Sequence, residues 1–501
     1  MRGYKLGMRD LVHGSFLIFS LIMLSLLVSR YYLRGQGDQM ALPAGSLDDM
    51  ESQVDWYGIY MKEEKIGYSQ TTVTRQDSQY ICTDRTYMAF TMIDRPQVIN
   101  SYARAVTDTS MRLVSFIFTL SGEDTDFGVR GRVDKKALNL TVTMAGQTRG
   151  ETIPIDEPPQ LPGTVTLLFN NREFKTGDRY TTTVFDPATL ANQQLEIVVA
   201  GREKILYRGV ETEVWHLRQD LAGLTVDSYL DDQGRLLEEK SQMGYRLVLE
   251  DETMARDGNW PQKGSDIQRL VAVTPDKVLP GARSMARLKV ELTGVGQDTF
   301  GLRGGCQRYD NHSHVLEIVS LMPDPGRISD TLPSSVRDLN LSPTAFIQSE
   351  DTRLLTLAAQ VVNLNDSPPE KVRSILRWMN GNIEKKATFS IPNTLEVLER
   401  KSGDCNEFAV LFCALARAAK IPTRVAMGLV YVEDSFYYHA WCECFMGDWI
   451  AVDPIFDQFP ADATHLRFAA GDMDRQVEIL PIIGRVGIKV LEQGNSPGEK
   501  R

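Results

Sequence analysis

The chain has 501 residues, of which 42% are hydrophobic and 24% are charged, a composition close to that of an average globular protein. This length corresponds to about three domains of ordinary size, so a sizeable buried core is expected. The net charge of −11, with no run rich in lysine or arginine, argues against non-specific nucleic-acid binding and indicates that the acidic excess serves solubility.

The first predicted element is an apolar segment, Leu11 to Ser29, in which His13 is the only titratable side chain. A helix of this length spans the hydrocarbon core of a bilayer, so we predict a transmembrane anchor over residues 11–33. A cleaved signal peptide is the alternative, although the apolar run is long for one and no A-x-A site follows it closely. The predicted location is the inner (cytoplasmic) membrane, with a single span and the bulk of the chain facing the periplasm or the cell exterior.

The region after the anchor has the pattern of a linker and then of β structure. Residues 34–53 are polar and punctuated by Pro and Gly, as linkers are. From 54 to 258, short runs rich in Tyr, Thr, Val and Ile alternate at a period of two between turn residues, which predicts a β-rich domain. The stretch "WYGIYMKEEKIGYSQTTVTR" predicts a hairpin, and "LTVDSYLDDQGRLLEEKSQMGYRLVLE" predicts three strands. Residues 266–325 predict a second, small β-rich region.

Beyond residue 345 the apolar period becomes helical, and we place the last domain over residues 345–480. Two segments, beginning near Ser349 and Ser367, each combine a capping signature with apolar residues at i, i+3 and i+4. They predict two amphipathic helices that lead into the stretch "SGDCNEFAVLFCALARAAKIPTR", residues 402–424. The fold class predicted for the whole chain is α+β.

Cys405 lies at the predicted start of a helix. Asp404 is an N-cap candidate and Glu407, three residues later, completes a capping box. The positive end of the helix dipole favours a thiolate there, so we expect a lowered pKa for the Cys405 thiol. The apolar run behind it predicts a buried helix that holds the thiol rigidly. The alternative is that Cys405 merely packs, as we expect of Cys413 inside the apolar run.

A nucleophile needs a base, and the base needs an orienting group. The stretch "FYYHAWCECFMGDWIAVDP" predicts a hairpin, with strands over 436–445 and 449–453. Alternation puts His439, Trp441 and Glu443 on one face of the first strand, and the return strand can bring Asp453 beside His439. The order Cys405, His439, Asp453 therefore supplies a nucleophile, a base and an orienting carboxylate.

These residues resemble the core of the transglutaminase-like superfamily. The motifs are Gly403-Asp404-Cys405, the segment 416–424, Gly428, His439-Ala440-Trp441 and Asp453-Pro454, and "QFPADATHLRFAAGD" is similar to the tail of bacterial membrane-anchored members. The resemblance covers about residues 349–472. It implies a papain-like α+β core, with the Cys helix packed on an antiparallel sheet that bears His and Asp, and it implies catalytic roles for Cys405, His439 and Asp453. Cys442 and Lys420 depart from the family pattern without touching the triad.

The predicted chemistry is acyl transfer through a thioester, on a peptide or a glutamine-type amide. Hydrolysis and amine transfer both remain open, because they share the same machinery. The backbone N–H of Cys405 is the expected oxyanion donor, with Trp378 and Asn380 as weaker candidates for a second donor. The alternative function is a non-catalytic envelope scaffold, or binding protein, with a relic transglutaminase core.

The remaining expectations concern partners and cofactors. A protein or peptide substrate is expected, together with the membrane and an envelope protein partner bound through the β-rich domain; no nucleic acid is expected. No cofactor and no metal site are expected, because the six cysteines form no C-x-x-C pair and no acidic loop has EF-hand spacing. Cys442 and Cys444 are expected to pack in the core. His465 is interpreted as structural or as a neighbour of the site.

Overall fold

The structure is a computed structural model that describes residues 40–41 and most of the span 52–495. Within that span it leaves out residues 62, 93–94, 123–125, 145–146, 170–172, 189, 222–223, 242–243, 259–271, 296–300, 328–331, 345, 364, 387–392, 473–474, 476–477 and 480–481. Two compact units make up the described chain, and they divide between residues 267 and 268. The finer domain limits predicted from the sequence stay predictions.

The predicted anchor over residues 11–33 lies outside the described residues, as does most of the predicted linker over 34–53. Among the residues that the structure does describe, none of the helices combines the length and the apolar composition needed to cross a bilayer.

The first unit is built on one sheet of fifteen strands with the order β1-β10-β11-β12-β13-β14-β15-β2-β3-β4-β5-β6-β7-β8-β9. β1 pairs in parallel with β10, and the other neighbours are antiparallel. The strands are β1 (Met40–Ala41), β2 (Ser52–Met61), β3 (Glu64–Gln76), β4 (Gln79–Met92), β5 (Arg95–Asp108), β6 (Leu113–Gly122), β7 (Asp126–Asp134), β8 (Ala137–Met144), β9 (Gln147–Pro154), β10 (Arg179–Asp186), β11 (Ala191–Tyr207), β12 (Val210–Leu221), β13 (Leu224–Leu230), β14 (Leu236–Ser241) and β15 (Tyr245–Glu250). A short helix, α1 (Glu252–Arg256), follows.

Side-chain alternation gives this sheet one buried face. In β8, Leu138, Leu140 and Val142 are buried, while the residues between them are exposed, as the period of two predicts. Both segments singled out in the sequence are confirmed, because β2 and β3 form a hairpin and β13, β14 and β15 form a meander. Gly234 and Gly244 turn between those strands at positive φ.

The second unit contains a small antiparallel sheet with the order β17-β18-β16-β25. Its strands are β16 (Arg287–Thr293), β17 (Gln307–Asp310), β18 (Val315–Val319) and β25 (Gly487–Gly494). The last strand of the described chain therefore pairs with the first strand of this unit. Sequence periodicity places strands in 266–325 but says nothing of this long-range pairing, which joins residues about 200 positions apart.

The helices of the second unit, apart from the short one that follows Pro333, begin where capping groups satisfy their first N–H donors. They are α2 (Ser334–Leu339), α3 (Thr352–Val361), α4 (Pro368–Asn382), α5 (Thr394–Arg400) and α6 (Cys405–Ala418). The predicted capping box of Ser367 and Glu370 starts α4. For α3 the cap is Asp351 rather than Ser349, since the Asp351 carboxylate accepts from the N–H of Arg353 at 2.9 Å.

The sheet that carries the candidate site is antiparallel, with the order β23-β22-β21-β24. Its strands are β21 (Thr423–Val432), β22 (Ser435–Phe445), β23 (Trp449–Val452) and β24 (Leu466–Gly471). Earlier in the chain, two short strands, β19 (Glu384–Lys385) and β20 (Ser402–Gly403), pair in parallel. Helix α6 packs against β21 and β22 on one side and against α3, α4 and α5 on the other. It is buried from Cys405 to Arg417, as its apolar sequence predicts.

Candidate active site

Cys405 is the first residue of α6, and the predicted capping box fixes it there. The Asp404 carboxylate accepts from the N–H of Asn406 at 2.8 Å, and the N–H of Asp404 donates to the Glu407 carboxylate at 3.1 Å. Gly403 leaves the room that this box needs, because a Cβ at that position would lie 2.3 Å from the Cβ of Glu407. The Gly-Asp-Cys sequence is thus a helix start with the thiol at its first position.

The thiol of Cys405 is fully buried, and the backbone N–H of Ala440, the residue next to His439, is near enough to lower its pKa slightly. Burial raises the pKa of the Cys405 thiol well above its ordinary value, and the charge of Asp404 raises it further. The lowered pKa expected from the helix start is therefore wrong for this structure. Loss of solvation and the carboxylates of the cap outweigh the dipole and the Ala440 N–H, so the resting group is a thiol.

The structure brings His439 and Asp453 together, both fully buried. His439 Nε2 lies 2.8 Å from Asp453 Oδ2, across the hairpin of β22 and β23 that the sequence predicts. An ionised carboxylate only accepts, so Nε2 carries the proton and Nδ1 of a neutral ring keeps its lone pair. Among the residues that the structure describes, none forms a hydrogen bond with this Nδ1.

The electrostatics of this pair favour a neutral imidazole beside an ionised acid. Burial lowers the pKa of His439 and outweighs the opposing effect of Asp453. The pKa of Asp453 is lowered although burial opposes this, because the imidazoles of His439 and His465 both hydrogen-bond to it. The backbone N–H groups of Ile455 and Phe456 donate to the other oxygen of Asp453, at 2.8 and 2.9 Å.

Aromatic rings enclose the His439 imidazole. Trp441 stacks beside it with ring centroids 6.0 Å apart, and Phe456 lies 5.5 Å away on another side. The indole N–H of Trp441 is buried and donates to no described atom. The rings exclude water from the imidazole, which strengthens the electrostatic interactions within the site.

A group of charged residues lies behind Asp453, and of these the sequence had singled out only His465. His465 donates to Asp453 from Nε2, at 2.9 Å, and contacts the carbonyl oxygen of Asp462 at 3.0 Å. Arg283, from the short 3₁₀ helix Ala282–Ser284 before β16, lies 3.1 Å from the Asp462 carboxylate, although the two are not aligned for a hydrogen bond. His465, which was predicted to be structural or a neighbour of the site, is such a neighbour. Arg283 lies 170 residues before Asp453, and no signal in the sequence points to it.

Other residues considered from the sequence lie elsewhere or are occupied. Asn380 donates its side-chain amide to the carbonyl oxygens of Leu376 and, at 3.4 Å, Pro454, which weakens its candidacy as an oxyanion donor. Trp378 is half-buried on α4. Cys442 and Cys444 are buried and unpaired, as are the other four cysteines, which confirms the prediction that these two pack in the core.

Three donor atoms of the site lie close enough to be tested as a metal site. The ligand atoms of His439, Asp453 and His465 all lie within 4.8 Å of one another. The contacts of His439 and His465 with Asp453, at 2.8 and 2.9 Å, have hydrogen-bond distances, so a hydrogen bond accounts for each of them.

Comparison with known proteins gives the class of the domain that carries this site. Residues 355–454 match the Transglutaminase-like superfamily, so the chain carries a domain of that superfamily, as its motifs indicated. This stretch contains Cys405, His439 and Asp453. No curated protein matches the chain.

The chain is also similar to several solved structures. One is a candidate cysteine protease from Cytophaga hutchinsonii, with 16% identity, a TM-score of 0.28 and coverage of 42% of this chain and 87% of that one. Another is a β-barrel-like protein of a domain of unknown function from Brucella abortus, with 12% identity, a TM-score of 0.29 and coverage of 39% and 96%. A third is the periplasmic domain of TgpA from Pseudomonas aeruginosa bound to ethylmercury, with 16% identity, a TM-score of 0.25 and coverage of 37% and 89%.

Proposed function

We propose that the chain is a membrane-anchored, transglutaminase-like enzyme that transfers acyl groups through a thioester on Cys405. The observation that carries this proposal is the arrangement of three buried groups. The Cys405 sulfur lies near the backbone N–H of Ala440, the residue next to His439, and Asp453 holds the His439 ring with Nδ1 left unpaired. A thiol, a base and an orienting acid in one enclosed site are the parts of nucleophilic acyl transfer.

The first half of the proposed reaction begins from a thiol and a neutral imidazole. His439 Nδ1 takes the Cys405 proton as the sulfur attacks the carbonyl carbon of an amide, and the carbonyl π electrons move to the oxygen. The backbone N–H of Cys405, at the start of α6, stabilises that oxyanion. The C–N bond then breaks, the imidazolium gives its proton to the leaving amine, and a thioester remains on Cys405.

The second half reverses the roles with a new acceptor. His439 takes a proton from water or from a second amine, which attacks the thioester carbonyl and releases the Cys405 thiol. Water gives a hydrolase and an amine gives a transferase, with the same residues in both. The proposed substrate is a protein or peptide, because its amide is the class of carbonyl that this chemistry uses.

The proposed location follows from the apolar segment 11–29 and not from the described residues. A single-pass anchor at the inner membrane would leave the catalytic unit facing the periplasm or the exterior. In that setting the fifteen-stranded sheet is the proposed surface for an envelope protein partner. Fractionation of cells that express the full chain, or a chain lacking residues 11–29, tests this location. Recovery of both chains in the soluble fraction would contradict it.

Relative alkylation of the buried cysteines tests the proposed chemistry. Cys413 lies on the same helix as Cys405 and is also fully buried, but burial and a nearby Arg417 set its thiol pKa, at about 11, without an imidazole. We therefore expect iodoacetamide to modify Cys405 of the full-length protein at least about tenfold faster than Cys413 near neutral pH. His439→Ala should remove that difference, as mass spectrometry of the labelled peptides would record.

The competing function is a non-catalytic envelope scaffold, and the complete burial of Cys405 is the observation that favours it. Two results distinguish the functions. Equal alkylation of Cys405 and Cys413 would contradict the enzyme, and a Cys405→Ser chain that reproduces the wild-type cell phenotype would support the scaffold. Envelope peptides from wild-type and Cys405→Ala cells then show whether the enzyme cleaves amides or forms new isopeptide bonds.

A further inference from the structure

His465 is bound on both sides of its ring, and both of its partners are acceptors. Its Nδ1 lies 3.0 Å from the carbonyl oxygen of Asp462, and its Nε2 lies 2.9 Å from Asp453 Oδ2. A carbonyl oxygen only accepts hydrogen bonds, and so does an ionised carboxylate. Both ring nitrogens therefore donate, which means that a fully enclosed His465 is an imidazolium cation.

The carboxylate of Asp453 is held by four donors. His439 and His465 both donate to Oδ2, and the backbone N–H groups of Ile455 and Phe456 both donate to Oδ1. We propose that His465 is a positioning residue for the proposed acyl-transfer site, fixing Asp453 and, through it, the ring of His439. This inference rests on the proposed function and adds to it a residue outside the stretch that matches the family.

Two carboxylates face His465 and favour a cation at this position. The Asp462 carboxylate lies 3.4 Å from Nδ1, and Arg283 in turn lies 3.1 Å from Asp462. Positive and negative charges therefore alternate from Arg283 to Asp453, and the ring of Trp441 contacts His465 edge-on at 5.2 Å. Burial disfavours the charge, but Asp462 and then Asp453 outweigh it and raise the pKa of His465 to about 9.

A cation next to Asp453 also affects the protonation of His439. The rings of His439 and His465 are 5.9 Å apart and share one carboxylate oxygen, so the negative charge of Asp453 is divided between them. His439 is then not forced into the imidazolium form, and its Nδ1 keeps the lone pair that the Cys405 thiol needs. Removing the charge of His465 should raise the pH at which the Cys405–His439 pair loses its proton.

The pH profile of Cys405 alkylation tests this role. In the full-length protein we expect His465→Gln to move the midpoint of the iodoacetamide rate upward by at least about half a pH unit. The rate at neutral pH should fall at least about threefold, because a shift of half a pH unit leaves about a third of the reactive form. His216→Gln is the matched control, since His216 also lies 2.7 Å from a carboxylate, that of Asp227, but in the other unit. It should leave the profile unchanged.

The outcomes separate this inference from the proposed function. If wild-type Cys405 reacts no faster than Cys413, the proposed function fails. If wild-type Cys405 reacts as proposed and the His465→Gln profile superimposes on it, only the positioning role is overturned. Should the variant not fold, ¹⁵N spectra of histidine in the wild-type chain decide the matter. Two N–H signals for His465 at neutral pH support the role, and a single N–H signal overturns it.

Discussion

Asp404 acts on Cys405 in two opposing ways. Its carboxylate caps α6 and so fixes the thiol, yet the same negative charge is the largest electrostatic contribution that raises the pKa of Cys405. Asparagine caps a helix about as well as aspartate does but carries no charge. The cap and the charge can therefore be separated by a single substitution.

We predict that Asp404→Asn increases the reactivity of Cys405. The thiol pKa should fall, and alkylation at neutral pH should become several-fold faster, while the free energy of unfolding changes by less than about 0.5 kcal/mol. Alkylation kinetics and urea unfolding measure the two effects. Asp351→Asn, at the equivalent cap of α3, is the control that should alter neither. Slower alkylation in Asp404→Asn would show that the carboxylate assists the thiol instead of opposing it.

Individual residues of the site differ in how far the linear sequence predicts them. The capping box and the pairing of His439 with Asp453 follow from spacing, because helix starts and hairpins are local structures. The pKa of Cys405 could not be predicted, since it depends on burial by the packed helices and sheet. The contacts of Arg283 could not be predicted either, because they depend on the tertiary packing of a short helix that is distant in the sequence.

At the scale of the elements, Gly428 sets how closely β21 and β24 approach each other. A Cβ on Gly428 would lie 1.9 Å from the carbonyl oxygen of Leu466, which is backbone and cannot move aside without shifting β24. Because β24 begins at Leu466, directly after His465, that shift would also displace the imidazole bound to Asp453. The glycine noted among the family motifs therefore has a packing role in the site.

Gly428→Ala should destabilise the second unit by about 2 kcal/mol or more, because overpacking of a tight contact has costs of that size. Cys405 alkylation should slow as well. Gly494→Ala, at the end of β25, is the control, because a Cβ there meets no atom within 4 Å. It should change the free energy of unfolding by less than about 0.5 kcal/mol. Equal stability of the two variants in urea would contradict this account of Gly428.

A second interaction between elements was only partly predictable. Alternation predicts that Glu443 shares a face of β22 with Trp441. In the structure, the Glu443 side chain joins neighbouring strands and takes no part in the candidate site. Its carboxylate binds Arg424 of β21 at 2.6 Å and Arg467 of β24 at 2.7 Å. Arg467 also donates to the carbonyl oxygens of Gly301 and Arg303. Pattern alone does not separate a buried ion pair from a catalytic acid.

At the scale of the whole molecule, the charge of His465 links the proposed site to stability. Its folded-state pKa, about 9, lies above the ordinary value of 6.5. The stabilisation from its proton is therefore fully present below about pH 6.5 and is lost as the pH rises through about 9. At about 1.4 kcal/mol per pKa unit, this contribution amounts to about 3 kcal/mol.

We predict that the second unit loses this stability between about pH 6.5 and pH 9 in the wild type but not in His465→Gln. Cys82 is buried in the first unit and Cys413 is buried in the second. Labelling of these two thiols in urea therefore allows the two units to be followed separately. The difference between variant and wild type isolates His465, because buried thiols lose stability at alkaline pH in both proteins. The urea midpoint reported by Cys82 should not differ between them, and identical pH dependence at Cys413 would exclude a charged His465.

The arrangement of the large sheet was the least predictable feature of the molecule. Period-two patterns identify strands such as β2, β3 and β13, and local turns identify hairpins. The pairing of β15 with β2, and of β1 with β10, joins strands that are far apart in the chain. Such pairing depends on which strand edges remain free after the hairpins form. Local sequence patterns do not determine which of these edges pair.

The pairing of β16 with β25 determines where the chain can be cut. An excised fragment limited to residues 355–454 would keep Cys405 and lose both His465 and Arg283. A cut made after β24 would keep the site but strip β25 from β16, exposing an apolar edge that invites intermolecular strand addition. The smallest piece that retains Arg283, Asp462 and His465 beside Asp453, together with all four strands of the small sheet, therefore begins before Arg283 and ends at Gly494.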